Sequence, residues 1–258
     1  LAAWAAEHHP ADLPMLRLMT DRAPLFVFAG GVGSGKTALA ESFGCDLADA
    51  LNLPVFPYRL KLTARGSGLV GEMTTLIGEA FAHPLALGRQ AVRAARPATV
   101  YILVVDEADA LAQSRAAQQM HHEDRAGVDA LLAGVDSLAG EQVPVLVVMC
   151  TNREGALDPA VLRRTAAIFT FRRPGDAQCR KVLADALEGM GVDDAVISEL
   201  VSLTGETGDR PGFTYSDLTQ RLTPATVPTA YPAGPLTADI LLNAAARLAP
   251  TPEFRETA

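Results

Sequence analysis

One stretch constrains the fold of this chain more than any other. Gly30-Gly31-Val32-Gly33-Ser34-Gly35-Lys36-Thr37 satisfies every fixed position of the G-x-x-x-x-G-K-[ST] phosphate loop. It stands between an apolar run of strand length, Leu25-Phe26-Val27-Phe28-Ala29, and good helix formers beginning Thr37-Ala38-Leu39-Ala40-Glu41. Strand, loop and helix therefore follow in the order that turns backbone N–H groups and the positive end of a helix toward an anion. Gly31, Val32, Gly33, Ser34 and Gly35 are expected to curl around phosphates, with Ala38 in the first turn of the helix behind them. Lys36 is the residue type that reaches β- and γ-phosphates, and the Thr37 hydroxyl is a ligand for Mg²⁺. The expected ligand is a nucleoside triphosphate; a chance Gly-Lys-Thr turn would lack these flanks.

Apolar runs of strand length recur at Val55–Leu62, Val100–Val105, Val143–Cys150 and Ala167–Phe171, with helical patterns between them. Five such runs predict parallel β-α units, hence an α/β fold: a P-loop NTPase three-layer α-β-α core around a five-stranded parallel sheet. Residues 1–22 read as a lead-in limited by Pro10 and Pro14, residues 23–174 as a large subdomain, and 175–258 as a small C-terminal helical lid. Within the lid, Asp176–Met190, Asp193–Leu203, Thr214–Leu222 and Leu236–Leu248 read as helices, and Thr223–Pro235, with its four prolines, as a loop.

The 258 residues are 49% apolar, ample for a buried core. A net charge of -8 disfavours non-specific binding to nucleic acid. Cys45, Cys150 and Cys179 are too dispersed for a disulfide framework or a zinc site, which points to a reducing cytoplasm. No run approaches the ~18 apolar residues of a membrane span, and the start has no basic signal region. The chain opens without Met, which leaves room for a preceding adaptor module. His8-His9 and His121-His122-Glu123-Asp124 suit solvated turns better than a metal cluster.

Seventy residues after Lys36, the run Tyr101-Ile102-Leu103-Val104-Val105 ends in Asp106-Glu107. A buried parallel strand delivers its last residues to the sheet edge where α/β proteins bind ligands. Asp106 is then placed to hold Mg²⁺ and Glu107 to deprotonate an attacking water. The pair also suits a helix N-cap with an acidic first turn; the upstream phosphate loop favours the catalytic reading. The next strand ends in Thr151-Asn152-Arg153, where the amide of Asn152 suits either a contact to the γ-phosphate or attacking water, or an Asx turn. In Leu157-Asp158-Pro159-Ala160-Val161-Leu162-Arg163-Arg164, Asp158 caps a short helix with Pro159 at its first position. Arg163 and Arg164 either complement its dipole or reach a neighbouring subunit's nucleotide.

In this order and spacing, GGVGSGKT, ILVVDEADAL, VVMCTN and LDPAVLRR resemble the motifs of the AAA+ ATPases, specifically the AAA branch that contains katanin, spastin and the HORMA-remodelling checkpoint ATPases. The resemblance covers about residues 24–222. It implies Walker A roles for Lys36 and Thr37, Walker B roles for Asp106 and Glu107, sensor 1 for Asn152, and an arginine finger at Arg164 with Arg163 beside it. Gly212-Phe213-Thr214-Tyr215-Ser216-Asp217-Leu218 resembles the lid motif G-F-S-G-A-D-L, which brings Tyr215 and Ser216 to the adenine. Three departures stand out. Thr165-Ala166-Ala167-Ile168 replaces a run with a second finger, Tyr215 replaces a glycine, and Leu69 and Val70 occupy the pore loop where the family prefers an aromatic. Leu69 thus suits either a weaker substrate grip or an ordinary surface loop. By resemblance the chain hydrolyses ATP with Mg²⁺ as a homo-oligomer, a hexameric ring or spiral, acting on a protein substrate or adaptor. A DNA-associated regulator or loader, and a nucleotide-dependent scaffold with little turnover, are the alternative expectations.

Overall fold

The computed structural model describes residues 23–61, 72–93, 96–109, 122–153, 157–208, 210–232 and 234–253. The lead-in 1–22, the pore-loop residues Leu69 and Val70, and His121 lie outside the described residues. The described residues cluster into two compact units: 23–29 with Lys36–Thr170, and Gly30–Gly35 with 171–253. Among them, no helix is long and apolar enough to cross a membrane.

The first unit is built on β1 (Leu25–Gly30), α1 (Lys36–Leu51), β2 (Val55–Lys61), α2 (Glu72–Ala91), the two-residue strands β3 (Val92–Arg93) and β4 (Arg96–Pro97), and β5 (Val100–Asp106). There follow α3 (His122–Glu141), β6 (Val145–Thr151), α4 (Pro159–Arg164) and β7 (Thr165–Phe171). The main sheet has five strands in the order β2-β5-β6-β1-β7, and the pairs β2–β5, β5–β6 and β1–β6 are parallel. β5 and β6 are interior strands, so both their faces are covered and they read as unbroken apolar runs rather than alternating ones. Side chains still alternate in direction along each strand. On β5, Leu103 and Val105 join a core with Ile77 and Phe81 of α2 and Leu131 and Val135 of α3. Ile102 points the other way, where a Cβ on Gly44 of α1 would lie 3.3 Å from it. Helices therefore cover both faces, giving three layers. Gly134 on α3 lets that helix approach α2 closely: a Cβ there would stand 2.4 Å from the Phe81 ring. β2 is an edge strand, which is why Pro57 is tolerated within it. β7 begins at Thr165, two residues before the run Ala167–Phe171, because Thr165 caps α4 with an extended backbone and the chain passes directly from helix to strand.

The second unit is helical. α5 (Asp176–Ala186), α6 (Asp194–Thr204), a π-helical turn Asp217–Leu222, α7 (Thr223–Ala230) and α8 (Ala238–Arg247) enclose Leu183, Leu200, Phe213, Leu218 and Leu241, all fully buried. α5 ends at Ala186, four residues short of the helix expected to Met190, with Gly189 and Gly191 following. The larger correction is Thr223–Pro235, expected as a loop, whose first eight residues form α7. α7 continues directly from the π turn, so Pro224 and Pro228 each lack an N–H that a helix interior would use. The Thr223 and Thr226 hydroxyls donate to backbone carbonyls one turn back, the latter at 2.6 Å.

Candidate active site

The phosphate loop leaves β1 through residues with left-handed backbone. Gly33 (φ 74°) and Gly35 (φ 92°) adopt conformations that cost a side chain energy. A Cβ on Gly33 would also lie 2.6 Å from Thr214 Oγ1, and the Ser216 N–H donates to the Gly33 carbonyl at 3.1 Å. A Cβ on Gly35 would stand 3.9 Å from the Tyr215 ring. Thr214, Tyr215 and Ser216 thus brace the loop within the second unit.

In the first unit, Ala29 pairs with Thr151, and Val105 with Met149, so β1, β5 and β6 end together at one sheet edge. That register brings residues from three distant motifs into contact. Lys36 Nζ donates to Asn152 Oδ1 at 3.0 Å. Thr37 Oγ1 donates to Asp106 Oδ1 at 3.0 Å, and the Glu107 N–H donates to the same oxygen at 3.0 Å. Lys36 and Asp106 are buried, 7% and 6% exposed, whereas Glu107 is exposed. Glu107 also has φ 54°, a left-handed conformation that costs a non-glycine residue about 1–3 kcal/mol and is concentrated at functional sites.

Burial holds the Lys36 ammonium below its ordinary pKa, while Cys150, Asp109 and Asp106 pull it upward. The Cys150 thiol is itself pushed up to about 12, first by burial and then by Asp106, so it is uncharged near neutrality, and the Asp109 and Asp106 carboxylates bring negative charge to Lys36. Thr37 Oγ1 and Asp106 Oδ1 offer two hard oxygen donors 3.0 Å apart, a donor set that fits Mg²⁺.

Two participants escaped the sequence reading. Arg59 on β2 donates to Asp106 Oδ2 and to Glu41 Oε1, the latter at 2.6 Å, so a guanidinium ties the metal-ligand candidate to α1. Asp109 accepts from Thr151 Oγ1 at 2.8 Å, from the Asn152 backbone N–H at 2.6 Å and from Asn152 Nδ2 at 3.0 Å. A charge inside the apolar strand Val55–Lys61 was the available sign of Arg59; for Asp109 it was a third acidic residue one helical turn after Asp106.

Arg164 is not drawn into this group. Its Nε and Nη2 donate to the two carboxylate oxygens of Asp136 on α3, at 2.6 and 2.8 Å, and Nη1 donates to the Ala160 carbonyl at 3.2 Å. The bond to Asp136 raises the Arg164 pKa and lowers that of Asp136. Arg163, beside it, is exposed. Asp158 caps α4 as expected, accepting from the Ala160 N–H at 2.7 Å.

Residues 26–173 match the family described as "ATPase family associated with various cellular activities (AAA)". CD-NTase-associated protein 6 of Escherichia coli strain MS 115-1 is 45% identical over 253 residues, covering 97% of this chain and 81% of that protein. The fold is similar to that in the structure of the E. coli MS115-1 HORMA:CdnC:Trip13 complex, with TM-score 0.85, 44% identity and coverage of 98% of this chain and 83% of that one. It is similar also to Rhizobiales Trip13, with TM-score 0.73, 41% identity and coverage of 98% and 84%.

Proposed function

The chain belongs to the AAA family of ATPases, and from that premise we propose that it is a Mg²⁺-dependent enzyme that hydrolyses ATP to ADP and phosphate and uses the energy to remodel a protein partner. The observation that carries the proposal is the joining of Lys36, Thr37, Asp106 and Asn152 by hydrogen bonds across up to 116 residues of sequence. Residues 31–38 cradle the phosphates, and Lys36 supplies them with a positive charge that is already desolvated. Thr37 and Asp106 hold Mg²⁺, which when bound neutralises phosphate charge. Glu107, exposed at the strand end, takes the proton of the attacking water. Tyr215 and Ser216 lie toward the adenine, residues 23–174 act as the ATPase subdomain, and 175–258 act as its lid.

The working state is a ring or spiral, hexameric as a premise for experiment, in which Arg164, with Arg163 beside it, serves the next subunit's nucleotide. By their place in the sequence, Leu69 and Val70 take the pore-loop role of contacting the substrate. A HORMA-type protein is the partner class best supported, because the similar E. coli structure is a complex with HORMA and CdnC. The compartment that suits three free cysteines is the cytoplasm.

Glu107→Gln tests the chemistry. It keeps the size of the side chain and removes the base, so ATP binding stays within about twofold while phosphate release falls by about 10² to 10⁴. Mixed with ATP, this variant accumulates as assembled rings in mass measurements. Full turnover would remove Glu107 from the role of base.

A further inference from the structure

The Asn152 side chain has one donor end and one acceptor end, and its neighbours decide which faces where. On one side stands the Asp109 carboxylate, which only accepts, at 3.0 Å; on the other stands the Lys36 ammonium, which only donates, also at 3.0 Å. Both neighbours independently require the same orientation, with NH₂ toward Asp109 and oxygen toward Lys36. Asp109 is itself anchored, since its Oδ1 accepts from the Thr151 hydroxyl at 2.8 Å and from the Asn152 backbone N–H at 2.6 Å. That leaves Oδ2 for the Asn152 amide.

We propose that Asp109 is a positioning residue that fixes the Asn152 amide with its oxygen toward Lys36, so that Asn152 acts as an acceptor for Lys36 and for the attacking water. It rests on the ATPase reading above and sharpens it. An oxygen so directed cannot donate to a phosphate oxygen. It can accept from the Lys36 ammonium before nucleotide arrives, and from water once Lys36 turns its donors to phosphate.

The test is to exchange the two side chains. Asp109→Asn alone sets NH₂ against NH₂, or forces Asn152 to turn its donors on Lys36. Asn152→Asp alone sets carboxylate against carboxylate. Combined, Asp109→Asn/Asn152→Asp recreates every donor–acceptor pair: the new amide oxygen accepts from Thr151 and the backbone of residue 152, its NH₂ donates to the new carboxylate, and the second carboxylate oxygen faces Lys36. Each single variant is expected to lose about 10- to 100-fold in kcat and to lower the Tm of the nucleotide-free protein. The double variant regains at least about tenfold in kcat over either single one, and a higher Tm than the two single effects sum to. If Asn152 works instead by donating to phosphate, the double variant stays as slow as Asn152→Asp, because a carboxylate has no N–H to donate. An ATP-binding double variant without recovered turnover overturns the proposal, whether or not its Tm recovers. A wild-type protein that hydrolyses no ATP refutes the ATPase reading instead, and the Tm comparison still reports on the pairing.

Discussion

Lys36 illustrates how much one side chain owes to its surroundings. The residue is 7% exposed, and burial lowers its pKa, yet its ammonium is held by the Asn152 oxygen with the Asp109 and Asp106 carboxylates near enough to favour its charge. A buried charge balanced in this way is an anion receptor that has already shed its water. Hydrogen bonds to charged groups contribute about 1.5–3 kcal/mol, so Lys36→Ala is expected to weaken ATP binding roughly 10- to 150-fold, measured by titration with a fluorescent nucleotide. Undiminished affinity would take the loop out of the nucleotide site. The residue type and its place in the motif were legible in the sequence. Its partner Asn152 was legible only as a candidate, because a hydrogen bond spanning 116 positions depends on which strands are neighbours.

Among the elements, the π turn and the segments around it show why local pattern alone misread the end of the chain. Asp217, fully buried, accepts from the Thr214 and Thr251 N–H groups at 2.9 and 3.0 Å and from the Thr251 hydroxyl at 2.7 Å, and it pairs with Arg221 at 2.5 Å. Burial alone would raise its pKa, but the backbone donors of Thr214 and Thr251, the Thr251 hydroxyl and Arg221 outweigh it and bring the value to about 2. A carboxyl whose folded pKa lies below its unfolded value of 3.8 stabilises the fold fully above that value, and the contribution disappears as pH falls through about 2. Asp217→Asn should therefore lower Tm at pH 7 and make little difference near pH 2, as thermal melts across that range would show. An equal deficit at both pH values would assign the loss to packing. Proline content argued against helix at 223–230, but α7 continues from the π turn that Asp217 helps to hold, and Thr251 belongs to that network from far along the chain.

For the assembled molecule the decisive residue is Arg164. In the single chain it forms a two-point pair with Asp136, the side chains being 31% and 52% exposed, and an exposed pair of this kind contributes at most about 1 kcal/mol. Arg164→Ala should thus fold normally, with a small fall in Tm. If the guanidinium serves a neighbour's nucleotide, kcat falls by about 10³ or more. Mixing that variant with Lys36→Ala subunits, each inactive alone, restores turnover, because the latter lend intact arginines to the former's sites. No recovery in mixed assemblies would place the Arg164 function within its own subunit. The sequence alone carried the parallel α/β core, the phosphate loop, and the convergence of Lys36, Asp106 and Asn152 on one edge, since buried parallel strands read as apolar runs and always deliver their carboxyl ends to the same side. The folded chain alone settled the clamp of Asp109 on Asn152, the tie from Arg59 to Asp106, the pairing of Arg164 with Asp136 and the helix at 223–230. Each depends on which groups meet across long separations and in which orientation, and periodicity along a chain carries no record of that.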